Sequence, residues 1–242
     1  MRKPVLEIKN ITVETGGKKV IHDLSLSIGK GEIHALMGPN GSGKTSLCFA
    51  VLGNPAYTVT KGNILLDGKR ITALPTEERA RRGIFLSFQE PPEIGGVGVS
   101  SFLRMMAKKH AEDPRAAMKK ADNAAKELRI SETFMERYLN EGFSGGEKKK
   151  SEMLQLAAAA PKIALIDEID AGVDVDSLRA IARILKDAAK NGTGMLIITH
   201  TAKLFSALKP DRVHIITNGT ISASGGPALI KKIEKGGFRA HA

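Results

Sequence analysis

The segment Gly38-Pro39-Asn40-Gly41-Ser42-Gly43-Lys44-Thr45 follows directly on an apolar run, Ile33 to Met37, and precedes a helix-forming stretch that begins with Ser46. It fits the pattern G-x-x-x-x-G-K-[ST], in the strand-before, helix-after setting that gives the pattern meaning. The glycines let the backbone wrap closely around a polyphosphate and offer successive N–H donors. The helix that follows adds the positive end of its dipole. Lys44 is then placed to reach the β- and γ-phosphates, and the Thr45 hydroxyl to ligate Mg²⁺. Gly38 to Ser46 is the candidate phosphate site.

A cation held by one hydroxyl needs a carboxylate from elsewhere. Ile163-Ala164-Leu165-Ile166-Asp167-Glu168 supplies one, as an apolar strand that delivers two acids at its C-terminal end. Asp167 is placed to hold Mg²⁺ through water, and Glu168 to orient and polarise an attacking water. Help of that kind is worth roughly 10²–10⁴-fold in rate. Gln89, after Ile84 to Phe88, and His200, after Ile197-Ile198-Thr199, stand at the ends of two more short apolar runs. Neither is informative alone; their order along the chain is what counts.

Outward from these motifs, the first hundred residues alternate apolar runs with turns. Val5 to Val13 and the alternating Leu24, Leu26 and Ile28 read as strands about a Gly16-Gly17 turn, and Ile64 to Leu66 as a further strand. Between about Ser100 and Leu139 the texture turns helical, over Ser101–His110, Pro114–Arg129 and Ser131–Leu139, with Asp113 as an N-cap before Pro114. A helix from Gly146 to about Ala160, an apolar strand from Lys162 to Ile166, helical spacing at Leu178, Ile181, Ala182 and Leu185, and another strand at Met195 to Thr199 complete the alternation. Arg212–Thr217, Asn218-Gly219 and Thr220–Ala223 read as a hairpin on a type I′ turn, followed by a short basic helix from Pro227. Strands apolar on both faces and separated by helices imply a mainly parallel sheet covered on both sides. The expected architecture is α/β: a P-loop core with an antiparallel β subdomain, residues 1–99 and 140–242, and an inserted helical subdomain, residues 100–139, in one domain.

Composition removes other classes. The chain has 37 basic and 26 acidic side chains, a formal charge of +11, and a single cysteine, Cys48, so no intrachain disulfide can form. That cysteine reads as a small core residue in a reducing compartment. No run approaches the roughly 18–20 apolar residues of a membrane span. The charge admits anionic partners, but aromatics are 4% with no Trp, which speaks against a stacking platform for nucleic acid. The run Lys148 to Lys150 reads as a solvated helix face.

Phosphate loop, Gln89, Phe143-Ser144-Gly145-Gly146-Glu147, Asp167-Glu168, Gly172-Val173-Asp174 and His200 stand in the order of the ABC-type ATPases, which the chain resembles over essentially its whole length. The resemblance implies ATP and Mg²⁺ as ligands and a head-to-tail dimer. In it, each ATP lies between one subunit's phosphate loop and the other's Ser144, Gly145 and Gly146. It further implies that Lys44, Gln89, Glu168 and His200 serve hydrolysis, that Thr45, Gln89 and Asp167 face the metal, and that Asp174 couples the two sites. Within these ATPases the chain is similar to the SufC family, which drives SUF iron–sulfur cluster assembly. The likeness rests on Glu147 where transporter ATPases commonly have Gln, on Ile169 after Glu168 in place of proline, on Phe85 to Val97, and on Leu229 to Phe238. It implies SufB- and SufD-like partners docked on the Gln89 to Phe102 region and the helical block, and a cytoplasmic location. One cysteine cannot hold a conventional cluster, so such work would fall to partners. The competing readings are a membrane transporter's ATP-binding subunit, a DNA-repair ATPase, disfavoured because Ser46 to Phe143 has no sustained heptads, and a switch without turnover. No aromatic precedes Lys44, which leaves adenine to aliphatic packing, with Val20 as the candidate.

Overall fold

The computed structural model describes residues 4–199 and 203–237. The chain opens with the hairpin β1 (Pro4–Thr15) and β2 (Lys18–Gly29), turned at Gly16 and Gly17, both with positive φ. Then come β3 (Ile33–Met37), α1 (Lys44–Leu52), β4 (Thr58–Leu66), β5 (Lys69–Arg70), α2 (Thr76–Arg81) and β6 (Ile84–Ser87). β7 (Ile94–Gly98), α3 (Val99–His110), α4 (Pro114–Glu127), α5 (Glu132–Glu136) and β8 (Tyr138–Leu139) form the middle of the chain. The last part holds α6 (Gly145–Ala159), β9 (Ile163–Asp167), α7 (Val175–Lys190), β10 (Gly194–Ile198), α8 (Lys203–Leu208), β11 (Arg212–Thr217), β12 (Thr220–Gly225) and α9 (Ala228–Gly236).

Six strands form the main sheet in the order β12-β11-β3-β10-β9-β6, all parallel except the edge strand β12. A separate antiparallel sheet runs β2-β1-β4-β5. Every residue of β3, β9 and β10 is buried, because the two-residue period of a strand sends alternate side chains into two different cores. Ala164, Ile166, Met195 and Ile197 pack with α6, α7 and the helices of the middle segment. Ile163, Leu165, Leu196 and Ile198 face α1 and the antiparallel sheet. Cys48 is wholly buried in this second core, as a small apolar residue would be. The fold class is α/β, with a mainly parallel sheet and a separate antiparallel one, as expected.

Local chemistry explains the element ends. Asp113 caps α4 by accepting from the N–H groups of Arg115 at 2.9 Å and Ala116 at 3.1 Å, with Pro114 in the first turn. Asn218 and Gly219 take φ of 48° and 74°, the positive pair that a type I′ turn requires. One helix is shorter than its sequence suggests. Ser131 caps α5, but Arg137 is extended, its carbonyl accepts from the Val99 N–H at 3.0 Å, and Tyr138–Leu139 pairs with β7 instead of continuing the helix. That pairing is a long-range contact, invisible to helical spacing. α2 and β7 were likewise not expected from periodicity.

Candidate functional site

The phosphate loop leaves the carboxyl end of β3, where ligands collect in open α/β sheets. Its glycines are there for two reasons. A Cβ at Gly38 would sit 2.2 Å from the carbonyl oxygen of Ile216, and Gly43 has φ of +103° with Val20 carbonyl oxygen 2.9 Å from where its Cβ would be. The loop is thus wedged against β11 at Gly38 and against β2 at Gly43, with no room for a side chain at either position. The Lys44 ammonium is buried and donates to the carbonyl oxygens of Gly38 at 3.0 Å and Pro39 at 2.9 Å, bending the loop around its own charge. Burial lowers its pKa, while Glu168 and Asp167 nearby oppose that shift.

A cleft of about 830 Å³ opens over this loop. Asn40, Gly41, Gly43, Lys44, Thr45, Ser46, Gln89 and Glu168 line it, so the structure brings together motifs that lie far apart in sequence. Gly38, Pro39 and Ser42 belong to the loop but do not line this cleft. Asp167 ends β9 at 2% exposure, with its Oδ1 lacking any hydrogen-bond partner. Burial raises its pKa, and the Thr45 hydroxyl beside it favours the ionised form. A buried, unpaired carboxylate oxygen next to a hydroxyl is costly unless a cation or its water completes it. These residues therefore fit Mg²⁺. Among the described residues no three His, Cys, Asp or Glu side chains cluster to hold a metal, so an ion here depends on oxygens from a bound nucleotide.

Glu168 follows Asp167 with φ of 50°, a left-handed conformation that costs a non-glycine residue energy. Its N–H still bonds the Ile198 carbonyl at 3.0 Å, so the strand ladder reaches to the turn and then aims the carboxylate into the cleft. There Glu168 Oε2 accepts from the Gln89 side-chain amide at 2.8 Å. Thr199 donates to Asp170 at 2.6 Å and ties the end of β10 to the loop after β9. His200 lies outside the described residues.

Ser144, Gly145, Gly146 and Asp174 do not line this cleft. Ser144 is the N-cap of α6 in a capping box with Glu147: the Glu147 N–H reaches Ser144 Oγ at 3.2 Å, and the Ser144 N–H reaches Glu147 Oε2 at 2.9 Å. Arg137 donates to Glu147 at 2.7 Å and lies 4.3 Å over the Phe143 ring, which fixes the helix start. The bond from the Ser144 backbone is the main reason that the Glu147 carboxyl lies below its ordinary pKa. Asp174 caps α7 through the Ser177 N–H at 2.9 Å, and the Ser177 hydroxyl first, then that backbone bond, lower its pKa.

Sequence reasoning did not find every wall. Val20 lines the cleft, and so do Lys19, His22, Asn218 and Gly219. The Asn218-Gly219 turn is legible as a hairpin. Its packing onto the loop, through Gly219 N–H to Ser42 carbonyl at 2.9 Å and His22 N–H to Gly219 carbonyl at 2.9 Å, is not. The solvated reading of Lys148 to Lys150 fails at its middle member: Lys149 is buried under the Gln89 segment. A separate cavity of about 660 Å³, lined from α4, α6 and α7, contains none of the motif residues.

The ABC transporter family profile matches residues 21–171, which span the phosphate loop, the Gln89 segment, the Ser144 turn and the two acids. The chain belongs to the ABC transporter ATPase family. It is 45% identical over 239 residues to a probable ABC transporter ATP-binding protein of Streptococcus pyogenes serotype M18, covering 97% of this chain and 93% of that one. It is 42% identical to vegetative protein 296 of Bacillus subtilis strain 168, over 98% of this chain and 93% of that protein. Among solved structures, a dimeric ATP-binding cassette in a post-hydrolysis state with ADP and phosphate superposes with a TM-score of 0.76 at 22% identity, covering 91% and 98% of the two chains. This ABC ATPase is an ATP-hydrolysing P-loop enzyme, and no helix among its described residues is long and apolar enough to cross a membrane.

Proposed function

We propose that this ABC ATPase works as an ATP-dependent head-to-tail dimer whose opening and closing drives conformational change in a partner complex. The observation that carries this is the convergence of Lys44, Gln89 and Glu168 on one cleft from three segments, with Asp167 buried beside Thr45. In this reading the loop N–H groups and Lys44 bind the triphosphate, and Thr45 and Asp167 would hold Mg²⁺, which supplies charge neutralisation at the phosphates. Glu168 accepts a hydrogen bond from the attacking water and Gln89 fixes the carboxylate, so catalysis is positioning and charge stabilisation. His200 is proposed for the γ-phosphate on the family resemblance alone.

The dimer is supported by two glycines that the isolated chain does not need. A Cβ at Gly145 or Gly146 would meet nothing within 4 Å among the described residues, and neither has positive φ. Alanine at each would favour the helix by about 1 kcal/mol. Bare N–H groups at a helix start suit the close approach of an anion from a second subunit, whose charge the dipole favours. Val175, 60% exposed beside Asp174, suits the same interface. The test is Glu168→Gln. Hydrolysis should fall roughly 10²–10⁴-fold while ATP binding persists and ATP with Mg²⁺ shifts the chain to a stable dimer in light scattering. Unchanged turnover refutes the role of Glu168.

Two partners compete. The name of the Streptococcus relative favours a membrane transporter, with a permease element gripped at the Gln89 segment. The four segments similar to the SufC family favour SufB- and SufD-like scaffold proteins and iron–sulfur cluster assembly in the cytoplasm. Either would dock on the face where Ile94 and Tyr138 stand exposed on the β7–β8 pair. Copurification of the tagged chain from its native host separates them. A membrane-spanning partner sinks the SUF reading, and soluble scaffold proteins sink the transporter reading.

A further inference from the structure

Lys149 and Glu152 occupy adjacent turns of α6, just beyond the Ser144 cap, and both are at least nine-tenths buried. Lys149 Nζ donates to the carbonyl oxygens of Phe88 and Gln89, each at 3.0 Å. The Glu152 carboxylate accepts from the Phe88 N–H at 2.6 Å and from the Ser87 hydroxyl at 2.8 Å, with Lys149 Nζ 3.8 Å away. Two looser ties reinforce this. Lys148 pairs with Glu93 at 3.1 Å, and the Asn140 amide donates to the Pro92 carbonyl at 2.9 Å. Residues 87–93 are thus fastened to α6 and its entry loop. At the other end of the same segment, the Gln89 side chain holds Glu168.

Burying a carboxylate and an ammonium is expensive, and an apolar pair of similar size would hold a helix against a sheet at least as well. What the charged pair adds is direction: three hydrogen bonds fix the backbone of Phe88 and Gln89, and a fourth holds the Ser87 hydroxyl, at a strand end that has no further ladder partner to hold it. We infer that Glu152, together with Lys149, is a positioning residue that sets Gln89 against Glu168 and locks the Gln89 segment to the helix that begins with Ser144-Gly145-Gly146. A displacement of α6, by a second subunit at its start or by a partner on the middle helices, then moves Gln89 with it. The nucleotide site that the Ser144 turn completes and the one in which Gln89 sits become mechanically linked through a single rigid body.

The inference rests on the proposed roles of Gln89 and Glu168, so its test contains them. The purified full chain is assayed for kcat at saturating ATP, for KM and for nucleotide affinity as four proteins: parent, Glu152→Ala, Gln89→Ala and the double variant. Glu152→Ala should lower kcat tenfold or more with KM and affinity within twofold, and should lower it less than twofold in the Gln89→Ala background. Glu152→Gln, which keeps an acceptor for the Phe88 N–H, should recover most of the lost rate. Losses that multiply in the double variant overturn the inference, since a merely structural residue acts the same in both backgrounds. If Glu152→Ala fails to fold, Ser87→Ala goes through the same cycle. A threefold or larger loss in the parent that vanishes with Gln89→Ala supports the clamp, and an equal loss in both, or none, overturns it. A parental rate in Gln89→Ala alone refutes the role of Gln89 instead, and the clamp falls with it.

Discussion

Arg79 lies 3% exposed beneath the phosphate-loop helix, and its removal is a severe perturbation outside the cleft. Its guanidinium donates to Ala50 and Val51 carbonyl oxygens at 2.9 Å each, to Thr72 at 2.6 Å and, through Nε, to Leu74 at 2.8 Å. Ala50 and Val51 are in the last turn of α1, where a cation suits the dipole; the Ala50 carbonyl also accepts from the Gly53 N–H at 3.2 Å. Gly53, in the left-handed C-cap position, makes room for it: a Cβ there would lie 2.6 Å from Arg79 Nε. Arg79→Ala removes four bonds at about 1 kcal/mol each and leaves buried acceptors unpaired, for a total of roughly 4–5 kcal/mol. For a chain of this size that is a fall of roughly 8–20 °C in melting temperature. Circular dichroism melts and urea titrations read it directly. Lys at 79, one donor head in place of a fork, should recover less than half. A melting temperature within 3 °C of the parent would show that the carbonyls find other partners, and the capping argument would be wrong.

Lys44→Ala should weaken ATP binding by about 10–100-fold, the worth of a charge-assisted bond to phosphate; titration with a fluorescent ATP analogue checks it, and a change below threefold counts against the loop assignment. Acid should destabilise the fold through a buried histidine pair remote from the cleft. His214 lies 3.1 Å from His34 and hydrogen-bonds Ser224 at 2.7 Å, and burial, then the charges of His34 and Arg212, push its pKa down to about 3. The folded value lies below the unfolded one near 6.5, so this contribution is intact above pH 6.5 and is lost as pH falls toward 3. At pH 5 the loss is about 2 kcal/mol. His34, also lowered by burial, acts in the same direction. Urea midpoints at pH 7 and pH 5 should therefore converge in His214→Gln, and an equal shift in variant and parent rejects the assignment.

The phosphate loop, the acids after β9 and the order of the remaining motifs were legible because each is a local pattern: glycines, a lysine and a hydroxyl at fixed spacing, or an apolar strand that ends in charge. Apolar runs flanked by turns likewise gave the buried strands, since a strand covered on both faces carries no polar alternation. Lys149 shows the limit. In sequence it is one of three lysines on a helix, and only the approach of the Ser87–Gln89 backbone makes it a buried donor. Glu152 and Arg79 are hidden in the same way among helical charges, and the Asn218-Gly219 turn reveals its shape but not its neighbour.

What the sequence determined by itself was the chemistry on offer and the secondary structure that carries it, because backbone preference, hydrophobic period and phosphate-loop spacing all act within a few residues. Tertiary structure alone decided which charges are buried and what they hold. Desolvation and hydrogen-bond geometry depend on chain segments dozens of residues apart, such as Ser87 with Glu152, Gly53 with Arg79 and His34 with His214.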